Sequence, residues 1–274
     1  MKHFARSFLL FALVLAPAAW AAQTAPQALA THPDGAAIAS GHELATKAGM
    51  EILAKGGNAF DAAVAVSAAL AVVEPYSSGL GGGGFWLLHR AADNFETMID
   101  GRERAPRAAS RNMYLDAKGE VIPKLSMDGA LAAGIPGEPA ALAHLAERYG
   151  RLPLQQSLAP AIRYARDGFA VDALYRRLAE FRAEALQQSD ETARIFLHAG
   201  KAPPEGHVIR QPELARTLEA LARDGHDGFY AGAVAKQLVD GVRAAGGIWT
   251  LDDLKDYRVV ERAPLRGEYH GITV

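Results

Sequence analysis

The chain has 274 residues, a formal net charge of −2, 50% hydrophobic residues and 22% charged residues. This balance is ordinary for a globular protein and unlike that of disordered, collagen-like or coiled-coil sequences. The near-neutral charge lacks the basic excess typical of nucleic-acid binding, so no nucleic-acid partner is expected. Because the chain contains no cysteine, disulfides, thiolate zinc sites, iron–sulfur clusters and a cysteine nucleophile are excluded within it.

The first residues have the pattern of a secretory signal peptide. Lys2 and Arg6 precede an apolar run over residues 8–16, and small side chains at Ala19 and Ala21 suit a cleavage site. This run is much shorter than the ~20 residues that a membrane-spanning helix needs. We therefore expect removal of residues 1–21 and an exported protein, periplasmic or extracellular, without a membrane span.

The remaining chain divides into a polar leader and a folded part. Residues 22–35 include Gln, Thr, Pro, His, Asp and Gly and predict a flexible leader. The folded part is expected over residues 36–274, with neither an internal repeat nor a low-complexity linker. Hydrophobic spacing and Gly or Pro breaks predict its elements. Helices are predicted at 42–55, 62–73, 138–149, 154–166, 172–187, 212–223, 231–245 and 252–257, and strands at 36–40, 85–89, 95–99, 258–261, 265–269 and 272–274.

The second of these helices is informative about architecture. Asn58 suits the N-cap, and Asp61 stands three residues later in the capping-box position. Residues 62–73 are apolar on every face. A helix of this kind must be buried on all sides, so the sequence predicts a layered fold with material above and below it.

The glycine-rich segment 77–84 allows two interpretations. Gly79, Gly81 and Gly84 spell the G-x-G-x-x-G pattern, but dinucleotide binding needs a preceding strand and a following helix, and here the order is reversed. We therefore disfavour nucleotide binding. Glycines 81–84 instead permit positive φ and close approach of another chain or a substrate. Ser77 and Ser78 are candidate hydrogen-bond donors, with a plain turn as the alternative.

The polar stretch 100–106 directly follows a predicted strand and is stiffened by Pro106. Side chains at a strand exit are held by the sheet and suit ligand binding. An arginine there, Arg102 or Arg104, can bind a carboxylate through two parallel hydrogen bonds. The alternative, which residue types alone favour, is a surface ion pair with Glu103 or with the aspartate at position 100.

No metal site and no serine nucleophile of the common types can be identified. The nine histidines are scattered, with no H-x-x-x-H pair and no carboxylate at metal-ligand spacing. The G-x-S-x-G and S-x-x-K motifs are missing from the sequence as given. The residues alone thus indicate an exported α/β-type protein with a candidate site for a small carboxylate, and no reaction.

Several ordered blocks closely resemble the N-terminal region of the γ-glutamyltransferases (γ-glutamyltranspeptidases). The resemblance covers residues from about 31 to 274. The blocks lie at 39–49, 56–65, 73–85, 100–106, 134–137, 165–169 and 253–265.

This resemblance implies an α+β fold, the four-layer αββα arrangement of N-terminal nucleophile hydrolases. Such enzymes are made as a precursor that cuts itself into a large and a small subunit, and the new N-terminal Thr of the small subunit is the nucleophile. It takes the γ-glutamyl group from glutathione or a related γ-glutamyl amide, and water, an amino acid or a dipeptide then accepts the group. The resemblance implies neither a cofactor nor a metal.

The family's arginine that holds the substrate α-carboxylate matches Arg102, which is therefore the predicted substrate-binding residue. Glu103 matches the usual acidic neighbour and is expected to position Arg102, whereas Arg104 falls where the family varies and is expected to be structural. No catalytic residue is expected within this chain, because it resembles only the first part of the large subunit. The nucleophile is expected beyond Val274, so the chain alone is expected to be inactive. The alternatives are a cephalosporin or glutaryl acylase of the same fold, or a non-catalytic truncated remnant.

Overall fold

A computed structural model describes residues 35–274, so the predicted signal peptide and all but the last residue of the predicted leader lie outside the described part. The described part contains eleven α-helices and seven strands. The helices are α1 (Glu43–Ala54), α2 (Ala59–Val73), α3 (Glu138–Tyr149), α4 (Leu154–Asp167), α5 (Ala173–Phe181), α6 (Ala183–Leu186), α7 (Asp190–Phe196), α8 (Pro212–Asp224), α9 (Asp227–Tyr230), α10 (Gly232–Ala244) and α11 (Leu251–Lys255). The strands are β1 (Gly84–Arg90), β2 (Phe95–Gly101), β3 (Phe169–Ala170), β4 (Val208–Ile209), β5 (Val260–Arg262), β6 (Glu268–Tyr269) and β7 (Ile272–Thr273).

Helix α2 begins with the predicted capping box. The Asn58 side chain accepts hydrogen bonds from the backbone N–H groups of Phe60 and Asp61, at 2.9 and 3.0 Å, and the Asp61 carboxylate accepts one from Asn58 N at 2.8 Å. The helix packs against α1, α3 and α4, and none of its residues from 62 to 73 is exposed. Both the cap and the burial predicted from the apolar sequence are confirmed.

Strands β1, β2 and β5 form an antiparallel sheet with β2 in the centre. Residues 84–90 pair with residues 101–95, as expected for two strands joined by the turn at residues 91–94. One face of the sheet packs on the helices: Ile99 is fully buried, and the Trp86 indole N–H donates to Ser67 Oγ on α2 at 3.2 Å. The opposite face carries Phe85 and Leu87, which are 53% and 72% exposed.

Helices α3, α4 and α8 extend the core beyond α2, so that a helical layer covers one face of the sheet. Leu142, Leu158 and Leu218, one from each of these helices, are fully buried in the same cluster. The described part is therefore an α+β structure, as predicted. None of its helices combines the length and the apolar character that crossing a membrane demands.

Some predicted elements are wrong. Residues 36–40 form no strand, because none of the strands within 35–274 pairs with them. The predicted helix 172–187 is broken at Arg182, whose φ and ψ of −102° and 9° are not helical and whose guanidinium pairs with Asp128 at 2.6 Å. The helices α7 and α9 and the pairing of β3 with β4 were not predicted.

Candidate functional site

The glycine-rich segment between α2 and β1 is fastened to the start of α3. Gly82 O accepts hydrogen bonds from Gly137 N and Glu138 N, at 2.9 and 3.1 Å. A methyl group on Gly83 would collide with Gly101 O, and one on Gly137 would collide with the same oxygen and with the Tyr257 hydroxyl. None of the glycines from 79 to 84 has a positive φ. Close backbone approach, which was predicted, explains Gly83, whereas the predicted positive φ does not occur.

Arg102 follows the last residue of β2, and its backbone is held on both sides. Its N–H donates to Asp100 Oδ1 at 3.1 Å, and its carbonyl accepts from the Tyr257 hydroxyl at 2.7 Å. The Asp100 carboxylate also receives a hydrogen bond from Arg262 Nε at 2.7 Å, and this bond lowers the pKa of Asp100. The segment that presents Arg102 is thus fixed by the sheet and by a buried side chain.

The Arg102 side chain itself is free to meet a ligand. It is 64% exposed, and its Nε donates to Glu103 Oε2 at 3.2 Å. Its guanidinium carbon lies 5.8 Å from the centre of the Phe85 ring. An exposed ion pair of this kind contributes little to stability. The contact between Arg102 and Glu103 is the one expected if Glu103 orients the guanidinium.

Two stacked, buried tyrosines donate hydrogen bonds to the backbone of this region. The rings of Tyr230 and Tyr257 are stacked at 5.5 Å, and the Tyr230 hydroxyl donates to Pro136 O at 2.8 Å. Both side chains are at least 98% buried, and burial raises the pKa of Tyr257 to about 12. The Arg104 guanidinium carbon lies 5.0 Å from the Tyr257 ring centre, and its Nη2 donates to Arg258 O at 2.8 Å.

A cavity of about 420 Å³ opens beside the glycine-rich segment. Ser77 and Ser78 line it together with Glu103 and Glu138, so the predicted polar serines and the acidic neighbour of Arg102 meet here; Arg102 is not among its lining residues. Glu138 is 8% exposed. Burial, and then the negative charge of Glu103, raise the pKa of Glu138 to about 8.

Sequence reasoning missed Glu138 as part of the cavity lining and Tyr257 as a partner of Arg102. Glu138 appeared only as the first residue of a helix, where an acidic side chain is ordinary. Tyr257 appeared only as the end of a short helix. Their roles depend on the approach of segments far apart in the chain, which spacing along one segment does not reveal. Within residues 35–274 no three or more histidine, aspartate or glutamate side chains come together as a metal site.

Comparison with known proteins gives a consistent picture. A model of the family described as "Gamma-glutamyltranspeptidase" matches residues 45–274. The chain is 42% identical over 238 residues to a glutathione hydrolase proenzyme of Escherichia coli (strain K12), a match that covers 86% of this chain and 41% of that protein. It therefore spans less than half the length of this curated relative.

Solved structures agree. The crystal structure of Helicobacter pylori γ-glutamyltranspeptidase matches with a TM-score of 0.84 and 38% identity, over 89% of this chain and 69% of that one. A cephalosporin acylase from Bacillus halodurans matches with a TM-score of 0.76 and 32% identity, over 89% of this chain and 48% of that one. The fold is thus that of the γ-glutamyltranspeptidases and related N-terminal nucleophile hydrolases. The chain belongs to the γ-glutamyltranspeptidase family and corresponds to the N-terminal part of the large-subunit region.

Proposed function

We propose that this chain is part of an exported enzyme that hydrolyses or transfers the γ-glutamyl group of glutathione and related amides. The observation that carries the proposal is the presentation of Arg102: its backbone is fixed by Asp100 and Tyr257, while its guanidinium is exposed beside Glu103. A guanidinium held in this way can grip the α-carboxylate of a glutamyl donor through paired hydrogen bonds. Glu103 acts as the positioning residue, since it already engages the guanidinium Nε.

The bond-breaking groups belong, in this proposal, to the small subunit of the same precursor. Its N-terminal Thr, freed by autoproteolysis, attacks the γ-carbonyl carbon and expels the amine of the donor, giving a γ-glutamyl ester. Water, or the amine of an amino acid or dipeptide, then displaces the Thr oxygen. The word "proenzyme" in the name of the E. coli relative supports such processing. Accordingly, this chain by itself is inactive.

The exposed face of the sheet supports the same assembly. Phe85 and Leu87 form an apolar surface next to the strand exit that carries Arg102. A second sheet from the small subunit, packed on this face, completes the αββα layers and brings its Thr toward Arg102. Sheets that pack face to face are about 10 Å apart, a distance that side chains from both can fill.

The test uses the complete precursor encoded by the gene that contains this chain. Residues 1–21 act as the export signal in this proposal, so the mature protein is expected outside the cytoplasm and in two pieces. We expect it to release p-nitroaniline from γ-glutamyl-p-nitroanilide and to form a γ-glutamyl ester on the new N-terminal Thr, seen by mass spectrometry. The proposal would be contradicted if the protein neither cleaved this substrate nor formed an acyl-enzyme.

The second candidate function is a glutaryl or cephalosporin acylase, favoured by the similarity to the Bacillus halodurans acylase. Glutaryl-p-nitroanilide discriminates the two, because it keeps a carboxylate in the place of the α-carboxylate but lacks the α-amine of the glutamyl group. A site built to pair with both groups should prefer the γ-glutamyl compound by roughly 100-fold or more in kcat/KM. Equal or better turnover of the glutaryl compound would favour the acylase.

A further inference from the structure

Glu138 is a buried carboxyl group without a protein partner in the described part of the chain. It stands at the first position of α3 and is 8% exposed, and its backbone N–H donates to Gly82 O at 3.1 Å. Its side chain takes part in no hydrogen bond or ion pair with residues 35–274, yet it lines the cavity beside the glycine-rich segment. The carboxyl oxygens keep some exposure, and a group that enters the cavity can pair with them.

The neighbouring charges leave this carboxyl group uncompensated. Glu103 also faces the cavity, but its carboxylate is already paired with Arg102 Nε at 3.2 Å. A methyl group on Gly82 would lie 3.4 Å from Glu103 Oε1, so this oxygen lies close to Gly82. Gly82 is also the residue whose carbonyl accepts the hydrogen bond from Glu138 N. When Glu138 is ionised, one guanidinium and two carboxylates give the region a formal excess of one negative charge. A ligand with one positive charge would neutralise it.

The remaining lining suits an ammonium group. Ser77 and Ser78 offer hydroxyl oxygens that accept hydrogen bonds, and the glycine-rich backbone leaves the cavity open at about 420 Å³. A primary ammonium has three N–H donors, which a carboxylate and hydroxyl oxygens can satisfy together. An anionic group would be repelled by Glu138 and Glu103, and a purely apolar group would leave the buried carboxyl group unpaired.

We propose that this cavity is a second subsite, in which ionised Glu138 binds the primary ammonium group of the amino acid or dipeptide acceptor and takes up the proton that this nitrogen must lose before it attacks the γ-glutamyl ester. The inference rests on the proposed γ-glutamyl transfer. We assign the cavity to the amine of the acceptor and not to that of the donor. The donor's amine is bonded to the same carbon as the carboxylate that Arg102 binds, so it must stay close to that carboxylate. Arg102 is outside the cavity lining, whereas Glu103, its ion-pair partner, lines the cavity. Glu138 is thus a specificity-determining residue for transfer and dispensable for hydrolysis.

The experiment compares Glu138→Gln with Glu147→Gln in the complete mature protein. Glu147 is exposed on the same helix and is the matched control. Hydrolysis of γ-glutamyl-p-nitroanilide is measured without acceptor, and transfer is measured with glycylglycine and with hydroxylamine, which is an uncharged nucleophile at neutral pH. For Glu138→Gln we expect the half-saturating glycylglycine concentration to rise roughly 10-fold or more, with hydrolysis and transfer to hydroxylamine within about 2-fold of wild type. Glu147→Gln should match wild type in all three assays.

Three results would overturn the proposal. An unchanged glycylglycine dependence in a folded Glu138→Gln protein, with folding checked by its thermal unfolding, would exclude Glu138 as an acceptor ligand. A raised KM for the γ-glutamyl donor, with the acceptor dependence unaltered, would assign the cavity to the donor amine. Equal losses with glycylglycine and hydroxylamine would show that the ammonium charge is not recognised. If the wild-type protein cleaves no γ-glutamyl compound, the proposed function fails first, and this subsite fails with it.

Discussion

At the scale of single residues, one hydroxyl group connects the buried core to Arg102. The Tyr257 hydroxyl donates to Arg102 O at 2.7 Å. Tyr257→Phe removes this hydrogen bond without emptying the space that the ring fills. We expect the KM for a γ-glutamyl donor to rise roughly 2- to 10-fold, the equivalent of one hydrogen bond, with kcat little changed.

Tyr230→Phe is the matched control for this prediction, because its hydroxyl donates to Pro136 O instead of to Arg102. It should lower stability without raising the donor KM. If both variants change kcat and KM alike, Tyr257 only stabilises the fold and does not position Arg102.

Also at the residue scale, Glu138 makes stability depend on pH. Its pKa is raised from 4.5 to about 8 by burial and by Glu103. The folded state therefore holds this proton more tightly than the unfolded state, so the contribution of Glu138 to the free energy of unfolding is fully present below about pH 4.5 and is lost as the pH rises through about 8. Urea unfolding of the mature protein across this range should show a loss of a few kcal/mol, and Glu138→Gln should flatten the profile. A slope that survives the substitution would assign the effect to other groups.

At the scale of an element, Asp61 does more than cap α2. Besides Asn58 N, its carboxylate accepts hydrogen bonds from Arg151 N at 2.9 Å and Leu152 N at 3.2 Å, and the residue is fully buried. Asp61→Ala leaves these three donors without a partner, so we expect a loss of roughly 3 kcal/mol or more in the free energy of unfolding. Asp190→Ala, at an exposed position in the first turn of α7, should cost less than about 1 kcal/mol. Denaturant titration measures both, and equal losses would contradict a linking role for Asp61.

The elements also show what the sequence could predict. Helix α3 begins and ends at the predicted residues, and α2 begins at its predicted capping box, because caps and apolar spacing are local signals. Residues 36–40 have the composition of a strand, but a strand exists only with a partner, which local pattern does not supply. Helix α7 was missed although Ser189 caps it and acidic residues occupy its first turn. These signals come directly after the helix predicted over residues 172–187, which was expected to be continuous.

The candidate site was predictable only in part. Arg102 could be proposed as a candidate because it follows a strand and matches a family motif, and the close approach at Gly83 could be inferred from the run of glycines. The partners of Arg102 could not be predicted, because Tyr257 lies 155 residues further along the chain. The burial of Glu138 likewise depends on the glycine-rich segment folding over the start of α3, a contact between distant segments.

At the scale of the whole molecule, the outer face of the sheet is the feature that the proposed assembly must explain. Leu87 is 72% exposed on this face, and Leu265 is 95% exposed near the C-terminal strands. If a second sheet covers Leu87, Leu87→Asp buries a charge and should lower the Tm of the complete protein by at least about 5 °C, whereas Leu265→Asp should not. Equal Tm values for the two variants would contradict the covering of this face.

The central claim is that Arg102 grips the α-carboxylate of the donor. The most direct measurement compares wild type, Arg102→Ala and the exposed control Arg111→Ala on two substrates, γ-glutamyl-p-nitroanilide and its 4-aminobutyryl analogue, which lacks the α-carboxylate. We predict that Arg102→Ala lowers kcat/KM for the γ-glutamyl substrate by roughly 30-fold or more. It should leave kcat/KM for the analogue within about 3-fold of the wild-type value. Arg111→Ala should change kcat/KM for neither substrate. Equal losses on both substrates, or no loss on the γ-glutamyl one, would contradict the claim.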